Sequence, residues 1–220
     1  MPIPFLVWGI VAGVVVIVTA GGITFACLKG KKVAFLGMTG AGKTTAVHAL
    51  QAIQDKKKNW CTGDDESEPT VVNEEHKNLC FKICIDTSGA QQHKKPQLWE
   101  KTIKEVDYVF YFFDISQLNE VISYDGNNKA RYHQLVEADL SVIEEICSKQ
   151  DKQFCVLATH ADLEYDKKCA DSFFAKVDFS EKCLAVEKGA LTNYNESCKL
   201  FEKVLKKMGK VGKKLEEKLK

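Results

Sequence analysis

The chain has 220 residues, 45% of them apolar, and 31 Lys and Arg stand against 30 Asp and Glu for a formal net charge of +1. That balance gives no basic excess to indicate a nucleic-acid partner, and none is expected. Nine cysteines are scattered without a metal-type CxxC pair, an odd count that fits a reducing compartment better than a disulfide framework.

Residues 3–28, IPFLVWGIVAGVVVIVTAGGITFACL, carry no charge and exceed the ~20 apolar residues that cross a bilayer as a helix. A cleaved signal peptide would want a basic n-region and a shorter apolar core, and a lipid-anchor signal would want Gly at position 2. The segment therefore reads as a single transmembrane helix. Lys29, Lys31 and Lys32 follow it at once and no Lys or Arg precedes it. The positive-inside tendency then puts the N-terminus outside and the rest of the chain in the cytosol. Gly9 and Gly13 have a GxxxG spacing that permits close helix approach, although glycine is common in spans. Cys27, at the cytosolic edge, reads as a plain buried thiol or an acylation site. Residues 29–31 form a short basic linker that holds the following domain against the membrane. About 190 residues remain, enough for one domain, assigned to 32–208 with a basic helical tail over 209–220.

KKVAFLG contains the apolar run Val33–Leu36, too short for a helix, and KTTAVHALQAIQ places Ala46, Val47, Leu50 and Ile53 at helical spacing. The glycines between them lie on a strand-to-helix turn, where backbone can approach a ligand and the helix N-terminus favours an anion. Gly37, Gly42, Lys43 and Thr44 satisfy GxxxxGK[ST], the phosphate-binding P-loop. In that motif Lys43 reaches the β/γ-phosphates and the Thr44 hydroxyl ligates Mg²⁺. Gly37, Thr39, Gly40, Ala41, Gly42, Lys43, Thr44 and Thr45 are the candidate phosphate contacts.

Downstream, strands are predicted over 79–86, 106–115, 153–160 and 182–187, and helices over 96–106, 130–149 and 196–208. Their alternation predicts an α/β sandwich with a mostly parallel sheet, whose ligands bind at the carboxyl ends of the strands. Three motifs fall at such ends. DTSG (86–89) offers Asp86 to hold Mg²⁺ and the Gly89 amide to approach a γ-phosphate. THAD (159–162) offers Asp162 as an acceptor for guanine N1–H and the exocyclic amine. Adenine would leave that carboxylate poorly satisfied, and such bonds discriminate by about 10⁴-fold or more. Asp162 can equally begin a turn or cap a helix at LEYDKK. KGALT (188–192) has small residues, Ala190 among them, whose amides can meet guanine O6.

The P-loop, DxxG, base-recognition motif and short Ala-containing loop, in that order over residues 32–208, resemble the Ras-like small GTPases. EPTVVNEEHKNLCFKICIDTSG followed by LWEKTIKEVDYVFYFFDIS looks most like the Arf branch. The span ahead of such a domain resembles, in architecture, membrane-anchored GTPases of the signal recognition particle receptor beta-subunit type. The resemblance implies a P-loop NTPase three-layer sandwich, GTP and GDP as bound nucleotides with Mg²⁺, and effector, activating and exchange proteins as partners. It implies that Thr70 is the switch threonine that adds a ligand to Mg²⁺, with Thr62 as a rival in the long loop DKKKNWCTGDDESEPT.

Three departures from the family's pattern bear on activity. Thr159 and His160 stand where Asn-Lys is usual in the base motif, with Asp162 retained. Gly189-Ala190-Leu191 stands where Ser-Ala-Lys is common. Ala90 follows DxxG where the family often places the glutamine that orients water, so Gln91, Gln92 or His93 would have to replace it. Lys43, Gln91 and Gln92 are the candidate catalytic residues, and slow intrinsic hydrolysis is expected. A docking protein with negligible turnover is the alternative. The tail is basic and amphipathic, which predicts either a last helix fraying at Gly209 and Gly212 or a contact with an anionic membrane or a partner.

Overall fold

The computed structural model describes residues 31–55, 71–76, 79–84, 95–125 and 128–218, with side chains for 31–50, 96–123 and 128–208. The predicted transmembrane segment lies outside these residues, and no helix among them is long and apolar enough to cross a membrane.

The chain is α/β. β1 (Lys32–Gly37) leads into α1 (Lys43–Asp55), followed by β2 (Val71–His76), β3 (Leu79–Cys84) and α2 (Lys95–Lys104). β4 (Tyr108–Asp114) closes with a 3-10 turn, and β5 (Val121–Asp125) and β6 (Asn128–Arg131) form a hairpin before α3 (Tyr132–Lys149). β7 (Gln153–Thr159), α4 (Lys167–Lys176), β8 (Cys183–Lys188) and α5 (Tyr194–Lys218) complete the described chain. Six strands form one sheet in the order β2-β3-β1-β4-β7-β8. β3, β1, β4, β7 and β8 are parallel neighbours, and β2 runs antiparallel to β3 at the edge.

The sequence of the central strands explains this arrangement. A parallel sheet is covered on both faces, so its strands read as continuous apolar runs. All seven residues of β4, YVFYFFD, are buried, as are the last five of β1 and the last six of β7. Alternate residues of β4 then serve opposite faces. Phe110 and Phe112 meet Phe35 of β1, with ring centroids 5.6 and 5.3 Å apart, while Tyr111 meets Trp99 of α2 and Phe113 meets Phe173 of α4. α1 packs against α5, and α2 against α3. These two pairs are compatible with a sheet held between two helical layers.

Each predicted strand and helix in the described chain is present, with ends moved by a few residues. Four features differ from the sequence reading. β2 is a strand because it pairs along all six residues with β3, although its last four residues, NEEH, are polar. The β5–β6 hairpin fills a stretch that carried no assignment. α4 also went unassigned. Its cap is Asp166, whose carboxylate accepts from the Cys169 amide at 3.0 Å, so Asp162 does not cap this helix. α5 does not fray at Gly209 and Gly212: the helix runs unbroken to Lys218. Each glycine costs about 1 kcal/mol relative to Ala, and neighbouring Lys, Leu and Glu are good helix formers.

Cys147, Cys155, Cys169, Cys183 and Cys198 are free thiols. Burial pushes Cys147 and Cys183 up to about 12, so both stay protonated and unreactive at neutral pH.

Phe35 joins the two central strands through both of its ring contacts and is fully buried. Phe35→Ala should destabilise the full-length protein by about 3–5 kcal/mol, read as a lower denaturant midpoint at unchanged slope.

Candidate functional site

The turn between β1 and α1 is set by a close approach of two backbones. Gly37 has φ +131°, and a Cβ there would lie 2.0 Å from the Phe112 carbonyl oxygen of β4. No side chain fits. The Met38 amide donates to that same carbonyl at 3.1 Å, which fixes where the loop leaves the sheet. The Ala41 amide then donates to Met38 O at 3.2 Å, and Gly40 and Gly42 have φ of +73° and +78°. A Cβ at Gly40 would meet nothing within 4 Å, so the loop is open to solvent there.

Lys43 begins α1 and turns back over the loop. Its ammonium donates to Gly37 O at 2.7 Å and Met38 O at 2.8 Å, and the side chain is buried. The first helical bond runs from the Ala46 amide to Gly42 O at 2.8 Å. The amides of Gly40, Gly42, Thr44 and Thr45 donate to no protein acceptor among the described residues. Unpaired amides, a helix N-terminus and a pinned ammonium surround one open turn. That combination suits an anion with several oxygens, such as a phosphate group. Thr44 is half-buried in the first turn of α1, and its hydroxyl is the hard oxygen donor that Mg²⁺ takes. The other two candidate ligands, Thr70 and Asp86, lie outside the described residues, as do Gly89, Ala90, Gln91, Gln92 and Thr62. Among the described residues no group of three or more His, Cys, Asp and Glu side chains could hold a metal ion.

The second half of the site is joined to the first by Thr159. This residue ends β7 beside Asp114, the last residue of β4. Its hydroxyl lies 3.0 Å from Ala41 O in the glycine-rich turn, 3.0 Å from Phe113 O and 3.0 Å from His160 Nδ1. A hydroxyl has one proton, and two of these contacts are carbonyl acceptors, so the ring nitrogen supplies the hydrogen of the third. Nδ1–H also faces Asp114 Oδ2 at 3.6 Å. His160 holds φ +58°, a left-handed conformation uncommon outside glycine, which turns the chain sharply after β7.

Beyond that turn, the Leu163 amide donates to His160 O at 3.1 Å. Asp162 is exposed and makes no hydrogen bond or ion pair among the described residues. The 188–192 loop is drawn to the same place: the Gly189 amide donates to Ala158 O at 3.0 Å, and the Ala161 amide to Gly189 O at 3.3 Å. Ala190 and Leu191 are buried, and a Cβ on Gly42 would lie 3.3 Å from Leu191 Cδ1. The structure thus brings the 37–45 turn, residues 159–161 and the 189–191 loop together.

Asp114 is a site residue that sequence reasoning missed. Its buried carboxylate accepts from the Ser116 amide at 2.9 Å, the Ser116 hydroxyl at 2.6 Å and Gln117 Nε2 at 3.0 Å, and its own amide donates to Tyr132 OH at 2.9 Å. Burial holds the Tyr132 phenol above the usual tyrosine range, so it stays neutral. The signal was present: one carboxylate closing a strand of apolar residues. No protein-family model and no curated protein matches this chain.

Thr159→Val keeps the shape but leaves the Ala41 and Phe113 carbonyls without this donor. It should cost about 1–3 kcal/mol, measured by chemical unfolding, and Thr159→Ser should restore most of the loss.

Proposed function

We propose that the chain is a membrane-anchored small GTPase of the Ras-like, P-loop type, switching between GTP and GDP at the cytosolic face of a membrane. The observation that carries this reading is the turn at 37–45, where Lys43 is folded over open glycines and unpaired amides (Gly40, Gly42, Thr44) at a helix N-terminus. A phosphate there would gain several amide bonds and a charged partner. The guanine assignment draws on Asp162, an exposed carboxylate with no competing donor among the described residues, on the turn after β7 that Thr159 joins to the glycine-rich turn. Mg²⁺ would be held by Thr44 with Asp86 and Thr70, and it would supply charge neutralisation to the phosphates. Effector, activating and exchange proteins would be the partners of such a switch.

Competition binding on the full-length protein tests the first step. GTP and GDP should displace a labelled guanine nucleotide in the presence of Mg²⁺, and ATP should not. Asp162→Asn should weaken guanine nucleotides without lowering the melting midpoint. Equal displacement by ATP would remove the guanine assignment and leave a P-loop ATPase as the better reading.

Hydrolysis is expected to be slow in isolation, because Ala90 provides no side chain to orient water. A partner supplying an arginine contributes about 10³–10⁵ in rate in enzymes of this type, so slow turnover alone is no sign of inertness. Gln91→Ala or Gln92→Ala should slow single-turnover hydrolysis several-fold if either residue orients water in cis. No hydrolysis, alone or with membrane extract, would favour the docking protein with negligible turnover, the reading that Ala90 itself supports.

A further inference from the structure

We propose that the C-terminal part of α5 is a second membrane contact, an amphipathic segment lying on an anionic lipid surface at the amino edge of the sheet. The course of the helix follows from two contacts. Early in α5, Leu200 packs against Gly189, where a Cβ would lie 3.1 Å from Leu200 Cδ1. Further along, Lys207 reaches Val186 O at 3.3 Å and pairs with Glu187 at 2.7 Å. Advancing along α5 means retreating along β8, so the helix runs toward the amino edge of the parallel strands. β1 starts at that edge with Lys32, directly after the 29–31 linker.

Met208 is the last described core side chain of α5, at 1% exposure. The helix continues to Lys218, about 15 Å further at ~1.5 Å per residue. Val204 and Met208 are buried, and positions 211 (Val) and 215 (Leu) extend their line at spacings of three and four. Lys203, Lys207, Lys210, Lys214 and Lys218 form a second line at the same spacings beside it. Glu217 also falls on that second line, but over 203–218 seven lysines stand against two glutamates, Glu216 and Glu217. An apolar row that continues in the sequence past Met208, bordered by a mostly basic face, is the pattern of a helix in a lipid interface. Lysine stems cover apolar surface while their ammonium groups meet anionic headgroups. The large excess of one sign along that face favours a lipid surface over a protein groove, where charges of both signs fix register.

The proposal rests on the cytosolic placement of this edge and is independent of nucleotide binding. The full-length protein is placed in nanodiscs of phosphatidylcholine, with or without phosphatidylserine, and amide exchange is followed over 209–218. Exchange should slow by about tenfold or more with phosphatidylserine, and high salt should weaken the effect. A Lys210→Glu, Lys214→Glu, Lys218→Glu variant should lose the lipid dependence while exchange in β1 and β4 stays unchanged. Equal exchange on both lipids would overturn the proposal. So would protection that persists in lipid-free detergent, which would mean that the segment packs on protein. Carbonate extraction reports on the 3–28 span separately, since a released chain that still shows lipid-dependent protection on vesicles keeps this contact and removes the span.

Discussion

A side chain on residue 37 would have to occupy the space of the Phe112 carbonyl, 2.0 Å from its Cβ. Because glycine is there instead, β1 can end against β4 with the Met38 amide on that carbonyl, and the following turn starts from a fixed point. Everything in the phosphate-type turn depends on that start. Gly40 and Gly42 can be left-handed, Lys43 can fold back to Gly37 O and Met38 O, and α1 can present its first amides outward. Lysine pays no search entropy when an anion arrives, since its ammonium is already held. The turn is pre-organised by the sheet and not by its own sequence alone.

Thr159 extends the same order to the neighbouring strand. One hydroxyl joins the end of β7 to Ala41 in the turn and to Phe113 in β4. It also sets the proton on His160 Nδ1, which then faces the buried Asp114. The threonine is 1% exposed, so its contribution to a ligand is indirect. It holds the loop that carries Asp162 in register with the loop that would hold phosphates.

Much of this was legible in the sequence. Short apolar runs of four to six residues suit strands covered on both faces of a parallel sheet, which is why β1, β4 and β7 read so clearly. The glycine-lysine-threonine pattern located the turn, because those residue types meet a backbone and charge requirement that few other turns share. Other features depended on tertiary context. β2 is held by pairing with β3, and four of its six residues are polar, so its alternation carries little signal. α4 buries only Ala170 and Phe173, too few positions to show a helical period. The β5–β6 hairpin had a signal in the Gly126-Asn127 dipeptide between its strands, a common hairpin-loop pair, but its strands are too exposed to display a core face. Asp114 was hidden by its own strand, because a carboxylate at the end of an apolar run reads as the start of a loop until its three donors are seen.

The two edges of the sheet carry different demands. At the carboxyl edge, loops 38–42, 160–162 and 189–191 converge, and their positions are fixed by hydrogen bonds that cross from one loop to another. At the amino edge, Asp107 ties down the chain entry: it accepts from the Lys32 amide at 2.8 Å and pairs with Lys31 at 3.3 Å. That pair is partly exposed and contributes little to stability. Its effect is geometric, since it orients the last residues of the basic linker against β4 before β1 begins. α5 spans from one edge to the other, with Leu200 near the first and Met208 at the end of the core. One helix, buried from Leu200 to Met208 on its inner face, therefore runs from the loops at the carboxyl edge toward the amino edge, where β1 begins.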